Sequence, residues 1–147
     1  MISPEQLRRY PFFANVSEDA LKEVAMISDD VVAESGKTLF NEDDPADAMY
    51  ILVDGEVDMK YTLGDGEKRV VDTLVAGDLL VWSALVEPHR CTATGTTRKP
   101  CKLISVNAKK LRAMCESNHA LGYRMLISVT QLLAARLEGA RVQLATV

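Results

Sequence analysis

From Val31 to about Val106 the chain is cut into short apolar runs, VVAES, TLF, MYILVDGEVDMKYTL, RVVDTLV, ATGTT and CKLISV, separated by Gly, Asp and Pro. No other feature constrains the fold as strongly. Runs this short read as strands, and their apolar residues recur at every second position rather than every 3.6. In VDGEVDMKY, residues Val53, Gly55, Val57, Met59 and Tyr61 alternate with Asp54, Glu56, Asp58 and Lys60, the pattern of a strand with one dry face. Gly64, Asp65 and Gly66 supply the next hairpin turn, where positive φ is required. Closely spaced strands with such turns must hide or shorten their edges, which predicts a mainly β fold: a barrel, or a double-stranded β-helix, the jelly-roll-like β-roll.

The flanks follow a different period. Ser3-Pro4-Glu5 is a helix-start signal, and Ser17 precedes EDALKEVAMIS, in which Leu21, Val24, Ala25 and Ile27 share a face, so two short helices are expected over residues 1–30. Asn107 can cap a short helix, AKKLRAMCES, and a long one begins at Leu121. Along it Leu121, Met125, Val129, Leu132, Leu133, Arg136, Leu137, Ala140 and Leu144 keep mostly three and four spacing. A seam of that kind after a finished roll needs a partner, either the roll itself or a second copy of the helix. The expected organisation is one domain: N-terminal helices at 1–30, roll at 31–106, and C-terminal helices at 107–147.

Composition narrows the function classes. There are 17 basic and 21 acidic residues, a net charge of −4 and no run of like charges, so direct nucleic-acid binding is not expected. Cys91, Cys101 and Cys115 are odd in number and fit neither a disulfide framework nor paired metal ligands, as in a reducing cytoplasmic setting. No apolar window approaches bilayer length, and the N-terminus has no secretory pattern, so no membrane partner is expected.

The stretch GKTLFNEDDPADAMYILVDGEVDM resembles the core of the cyclic-nucleotide-binding domain shared by catabolite activator protein, Fnr-type regulators and the regulatory subunits of cyclic-AMP-dependent kinase. Gly36, Phe40, Glu42, Asp43, Asp44, Asp47, Met49, Tyr50, Ile51, Gly55 and Val57 carry the likeness, and the order of helices and strands extends it over nearly the whole chain. The acidic group from Glu42 to Asp47 lacks the order of a calcium loop and reads instead as a solvated turn whose Asp side chains cap local amides.

The resemblance implies a ligand loop of the form G-[DE]-x-[FI]-G-E-x-[AG]-L, followed by an arginine segment. Here Gly77, Asp78, Leu79 and Leu80 match its start, Ala84 and Leu85 its end, and Arg90, Cys91, Thr92 and Ala93 the arginine segment. In this family the loop amides and arginine would hold a cyclic phosphate and the glutamate a ribose hydroxyl. Two positions depart: Val81 stands for glycine, and Trp82 for glutamate. Val81 implies a loop displaced outward. Trp82 offers only an indole donor, so it cannot accept from ribose, and the loss should cost about 1–3 kcal/mol of affinity. Its ring either fills the nucleotide's space or stacks on a ligand. Arg90 either meets an anion in the roll or stays at its mouth, in water or paired with Glu87 or Asp78. Cys91, beside Arg90, is the cysteine whose thiolate would be favoured.

These readings point to a non-enzymatic sensor, with ligand candidates Gly77, Leu79, Leu80, Trp82, Ser83, Ala84, Arg90, Cys91 and Thr92. Its ligand would be a non-classical small anion or a weakly held cyclic nucleotide. A homodimer is expected through Leu121, Met125, Val129, Leu132, Arg136 and Ala140. Two alternatives stay open: a degenerate, ligand-free module for dimerisation and protein interaction, and an accessory of Crp/Fnr-type transcription regulation acting through a partner protein. With no segment after the long helix, no DNA-binding domain is expected. With His89 and His119 as the sole histidines, metal-dependent catalysis has the least support, and neither catalytic nor metal-ligating residues are expected.

Overall fold

In the computed structural model, which describes residues 1–146, the chain opens with α1 (Pro4–Arg8), a 3-10 turn (Pro11–Phe13) and α2 (Glu18–Met26). Val147, the last residue of the expected C-terminal segment, lies outside the described residues. Ser3 and Gln6 form a reciprocal capping box on α1, and the Ser17 hydroxyl accepts from the Ala20 amide on α2, so both polar signals act as the sequence predicts. Arg8 donates through Nη1 to the carbonyls of Phe13, Ala14 and Val16, which ties α1 to the turn after it.

Eight strands follow: β1 (Ser28–Ala33), β2 (Thr38–Phe40), β3 (Ala48–Asp54), β4 (Val57–Thr62), β5 (Lys68–Leu74), β6 (Leu79–Leu80), β7 (Thr94–Thr97) and β8 (Cys101–Asn107). They form two antiparallel four-stranded sheets, in the orders β1-β8-β3-β6 and β2-β7-β4-β5. Met49, Ile51, Leu52, Val57, Leu80, Leu103, Ile104 and Val106 form the heart of the core and are almost fully buried. This is the β-roll the period-two pattern predicts.

Two boundaries differ from the sequence reading. The roll begins at Ser28 rather than Val31, because β1 pairs with β8 from Ser28 opposite Val106 to Ala33 opposite Cys101. VDGEVDMKY is also not one strand. The chain turns at Gly55, whose φ of +108° falls in the left-handed region, and β3 and β4 enter different sheets. A Cβ at Gly55 would lie 2.6 Å from both the Cys101 Sγ and the Pro100 carbonyl, so the site excludes any side chain. The dry face is lost across this turn: Val57 is buried, while Val53 and Tyr61 are exposed. The Gly64–Gly66 turn does join β4 to β5, closed by the Leu63 amide on the Glu67 carbonyl at 2.8 Å.

A second 3-10 turn (Trp82–Leu85) lies between β6 and β7, and β8 is followed by α3 (Ala108–Ser117) and α4 (His119–Ala145). Asn107 and Asn118 cap these helices through Lys110 and Leu121. On α4, Leu121, Met125 and Val129 are buried within the chain itself, with Leu132 packed beside them. Burial of each such side chain contributes about 1.5–3 kcal/mol. Three of the positions expected at a dimer seam are therefore core positions, and the first half of α4 belongs to its own roll. The Ser128 hydroxyl donates to the Phe12 carbonyl at 3.0 Å, which joins α4 to the N-terminal turn.

Candidate functional site

The segment from Gly77 to Arg90 is pinned at its start. Gly77, at φ +96°, donates to the Leu52 carbonyl at 2.7 Å, the Asp78 carbonyl accepts from the Leu52 amide at 2.9 Å, and the Asp78 carboxylate accepts from the Val75 amide. Leu79 and Leu80 then pair with Ile51 and Tyr50. Val81 takes φ +65° and ψ +54°, a left-handed conformation uncommon for a β-branched residue. The backbone shape a glycine would adopt freely is thus kept by a valine, which is buried.

After this residue the Trp82–Leu85 turn faces a cavity of about 210 Å³ inside the roll. Trp82, Ser83, Cys91 and Thr92 line it, together with Phe40, Met59, Tyr61, Val71, Asp72, Leu74, Val81, Ala93 and Arg136. The volume is below the roughly 300–1,000 Å³ usual for ligand pockets. Of the other expected ligand residues, Leu79, Leu80 and Ala84 are buried in the core, and Gly77 sits at a separate hollow against Phe12 and Ser128.

Arg90 is exposed and does not line the roll cavity. Its Nη1 donates to the Asp43 carbonyl at 2.6 Å, and its backbone bridges to Pro45, so its partner is neither Glu87 nor Asp78. The acidic loop is held the same way, by backbone pairing with the arginine segment: Asp43 donates to the Cys91 carbonyl, Cys91 to the Asp44 carbonyl, and Ala46 to the His89 carbonyl, each at 2.8 Å. Where side chains take part they are those of Arg90, of Glu42, which accepts from the Thr62 amide, and of Thr94, which accepts from the Glu42 amide, rather than aspartates capping their neighbours.

The cation inside the cavity comes from elsewhere. Arg136, on α4, reaches back across the mouth of the roll, and its Nη2 donates to the Leu79 carbonyl at 2.7 Å. Burial lowers the pKa of its guanidinium, an effect opposed by the Asp72 and Asp78 carboxylates. It remains a cation at any physiological pH, held where desolvation makes an anionic partner favourable. The signal for it was an arginine on an apolar helical face, one turn beyond Leu132. At Cys91 the effect is the reverse of that expected from its neighbour Arg90: burial pushes its thiol pKa up, with the Asp44 and Asp47 carboxylates adding to the rise, so its thiolate is disfavoured. The phenol of Tyr50, stacked on Phe40 with centroids 6.2 Å apart, is raised chiefly by burial as well.

Residues 30–118 match the profile of the cyclic nucleotide-binding domain. The chain belongs to that family. A solved protein of Geobacter metallireducens GS-15 assigned to cyclic nucleotide binding is 34% identical, with a TM-score of 0.86 over 93% of this chain and 99% of its own. The N-terminal domain of a transcriptional regulator from Streptomyces coelicolor A3(2) is 27% identical, with a TM-score of 0.70 over 91% and 94% of the two chains. The regulatory domain of Toxoplasma gondii PKA, crystallised with cAMP, is also 27% identical, with a TM-score of 0.68 over 75% of this chain and 42% of its own. No curated protein matches in sequence. The chain thus has the fold of the cyclic nucleotide-binding domain, a regulatory module. Among the described residues no helix is long and apolar enough to cross a membrane.

Proposed function

We propose that this chain is a cytoplasmic, non-enzymatic sensor in which a compact anion enters the roll cavity against Arg136 and the response passes directly into α4. The observation that carries the proposal is the position of Arg136: the cationic side chain lining the cavity belongs to the long helix, so ligand contact is helix contact. A small anion can take bidentate bonds from this guanidinium, with the Ser83 and Thr92 hydroxyls beside it as further donors. Trp82 and the small volume disfavour an ordinary cyclic nucleotide, which would bind weakly.

The second half of α4 supports a homodimer, on a stripe distinct from the buried one. Leu126, Thr130, Leu133, Leu137, Ala140 and Leu144 follow alternating spacings of four and three, the repeat of a coiled-coil seam. Leu126, Leu137 and Leu144 are exposed. In the expected list of dimer residues Ala140 lies on this stripe, whereas Leu121, Met125, Val129, Leu132 and Arg136 lie on the one facing the roll. The same stripe favours a second reading, in which the roll is plugged by Trp82 and Arg136 and the chain serves only to dimerise and to meet a partner protein, including a partner in transcription regulation.

Isothermal titration separates the two. Inorganic phosphate and cyclic AMP are titrated into the wild type, Trp82→Glu and Arg136→Gln. Saturable binding that weakens about tenfold or more in Arg136→Gln, with cyclic AMP improved in Trp82→Glu, supports the sensor. Absence of heat in all three variants supports the plugged module, and loss of binding in Arg90→Ala with Arg136→Gln unaffected would return the anion to the mouth.

A further inference from the structure

A second cavity, larger than that of the roll, lies outside it. It measures about 450 Å³ and opens between the Trp82–Leu85 turn with the loop after it, α3, and the first turns of α4. Its volume falls within the usual range for small-molecule sites. Leu85 and Met125 form an apolar floor, and Arg112 and His89, both half-buried, supply the polar groups beside it. Glu87, Glu116, His119 and Tyr123 are exposed at the rim. We propose that this cavity is a second binding site, distinct from the roll, for a small organic monocarboxylate with an aryl or branched alkyl body.

Charge placement selects the carboxylate. Arg112 uses Nη1 to donate to the Ala84 carbonyl at 2.8 Å, which fixes the guanidinium against the 3-10 turn, and among the described residues it makes no ion pair. A guanidinium has five N–H donors in a planar fork, so the rest of the fork can meet a carboxylate. His89 is held in place by its backbone: its amide donates to the Val86 carbonyl at 2.9 Å, its carbonyl accepts from Ala46, and its φ is +58°. The two glutamates stand at the solvent-facing rim, where water and salt screen them, whereas Arg112 is partly shielded from both. A single negative charge therefore gains inside. The Leu85 and Met125 floor and the Tyr123 ring accept an apolar body.

The site stands independently of the roll cavity but shares a wall with it: Trp82 and Ser83 line the roll's cavity, and Leu85 of the same turn lines this one. The elbow behind it is tight, since a Cβ at Gly122 would lie 3.1 Å from the Cys115 carbonyl. The test is a titration of the full chain with phenylacetate, followed by amide NMR shifts. Saturable shifts centred on Leu85, His89, Arg112 and Met125 are expected, weakened about tenfold or more in Arg112→Gln and retained in Arg136→Gln, whose lesion lies in the roll. Arg112→Lys keeps the positive charge but loses the planar fork and should weaken phenylacetate several-fold while the urea midpoint holds, which keeps the test valid if Arg112→Gln fails to fold. Benzylamine, of the same shape and opposite charge, should give no saturable shift. Absence of saturation by phenylacetate, shifts centred on Trp82 and Arg136, unchanged affinity in Arg112→Lys, or tighter binding of benzylamine would each overturn the proposal.

Discussion

Single residues decide the character of this roll, and Val81 is the clearest case. Its left-handed backbone costs a side-chain-bearing residue about 1–2 kcal/mol, while its buried side chain contributes about 1.5–3 kcal/mol. In a helix interior glycine is about 1 kcal/mol worse than alanine. At position 81 that order should vanish or reverse, so urea denaturation of Val81→Gly and Val81→Ala should find the glycine variant at least as stable. The opposite holds at Gly55, where Gly55→Ala drives a Cβ into Pro100 and Cys101 and should destabilise by several kcal/mol, read as a lowered urea midpoint. Arg90→Ala removes only an exposed bond to the Asp43 carbonyl and should change stability by about 1 kcal/mol or less in the same measurement. The caps at Ser3, Ser17 and Asn107 were legible because each acts within three residues of itself. Arg90 was not, because its partner lies 47 positions away.

At the scale of elements, α4 carries two apolar stripes, one buried and one exposed. Met125→Ala cuts into the fully buried stripe and should cost about 2–5 kcal/mol, seen as a lowered melting temperature. Leu137→Asp touches the exposed stripe and should leave the fold intact while converting a dimer to a monomer in sedimentation velocity. The two stripes interleave in sequence, so spacing reads them as one seam. Only contact with the roll assigns Leu121, Met125 and Val129 inward and leaves Leu137 and Leu144 outward. The β3–β4 stretch was misread for a related reason: alternation continues in the letters across Gly55, while the backbone turns and changes sheets.

For the molecule as a whole, the three free thiols set an alkaline limit. Burial is the first cause of a raised pKa at Cys91, Cys101 and Cys115 alike. The unfolded chain releases such protons from about pH 8.5, whereas the folded chain holds them to higher pH. Their contribution is complete below that value and is lost as pH rises through the raised folded values. Melting temperature should therefore fall between neutral pH and pH 9.5, and less steeply in Cys91→Ala. The sequence by itself determined the roll and the caps, because strand alternation, turn glycines and helix caps are local consequences of backbone chemistry, and its motif resemblance pointed to the family that the residue 30–118 match shows. The tertiary structure decided which arginine faces the cavity. Arg90 is next to the loop in sequence yet outside the roll, and Arg136 is far along the chain yet inside it, since a long helix folding back brings distant charge to the mouth.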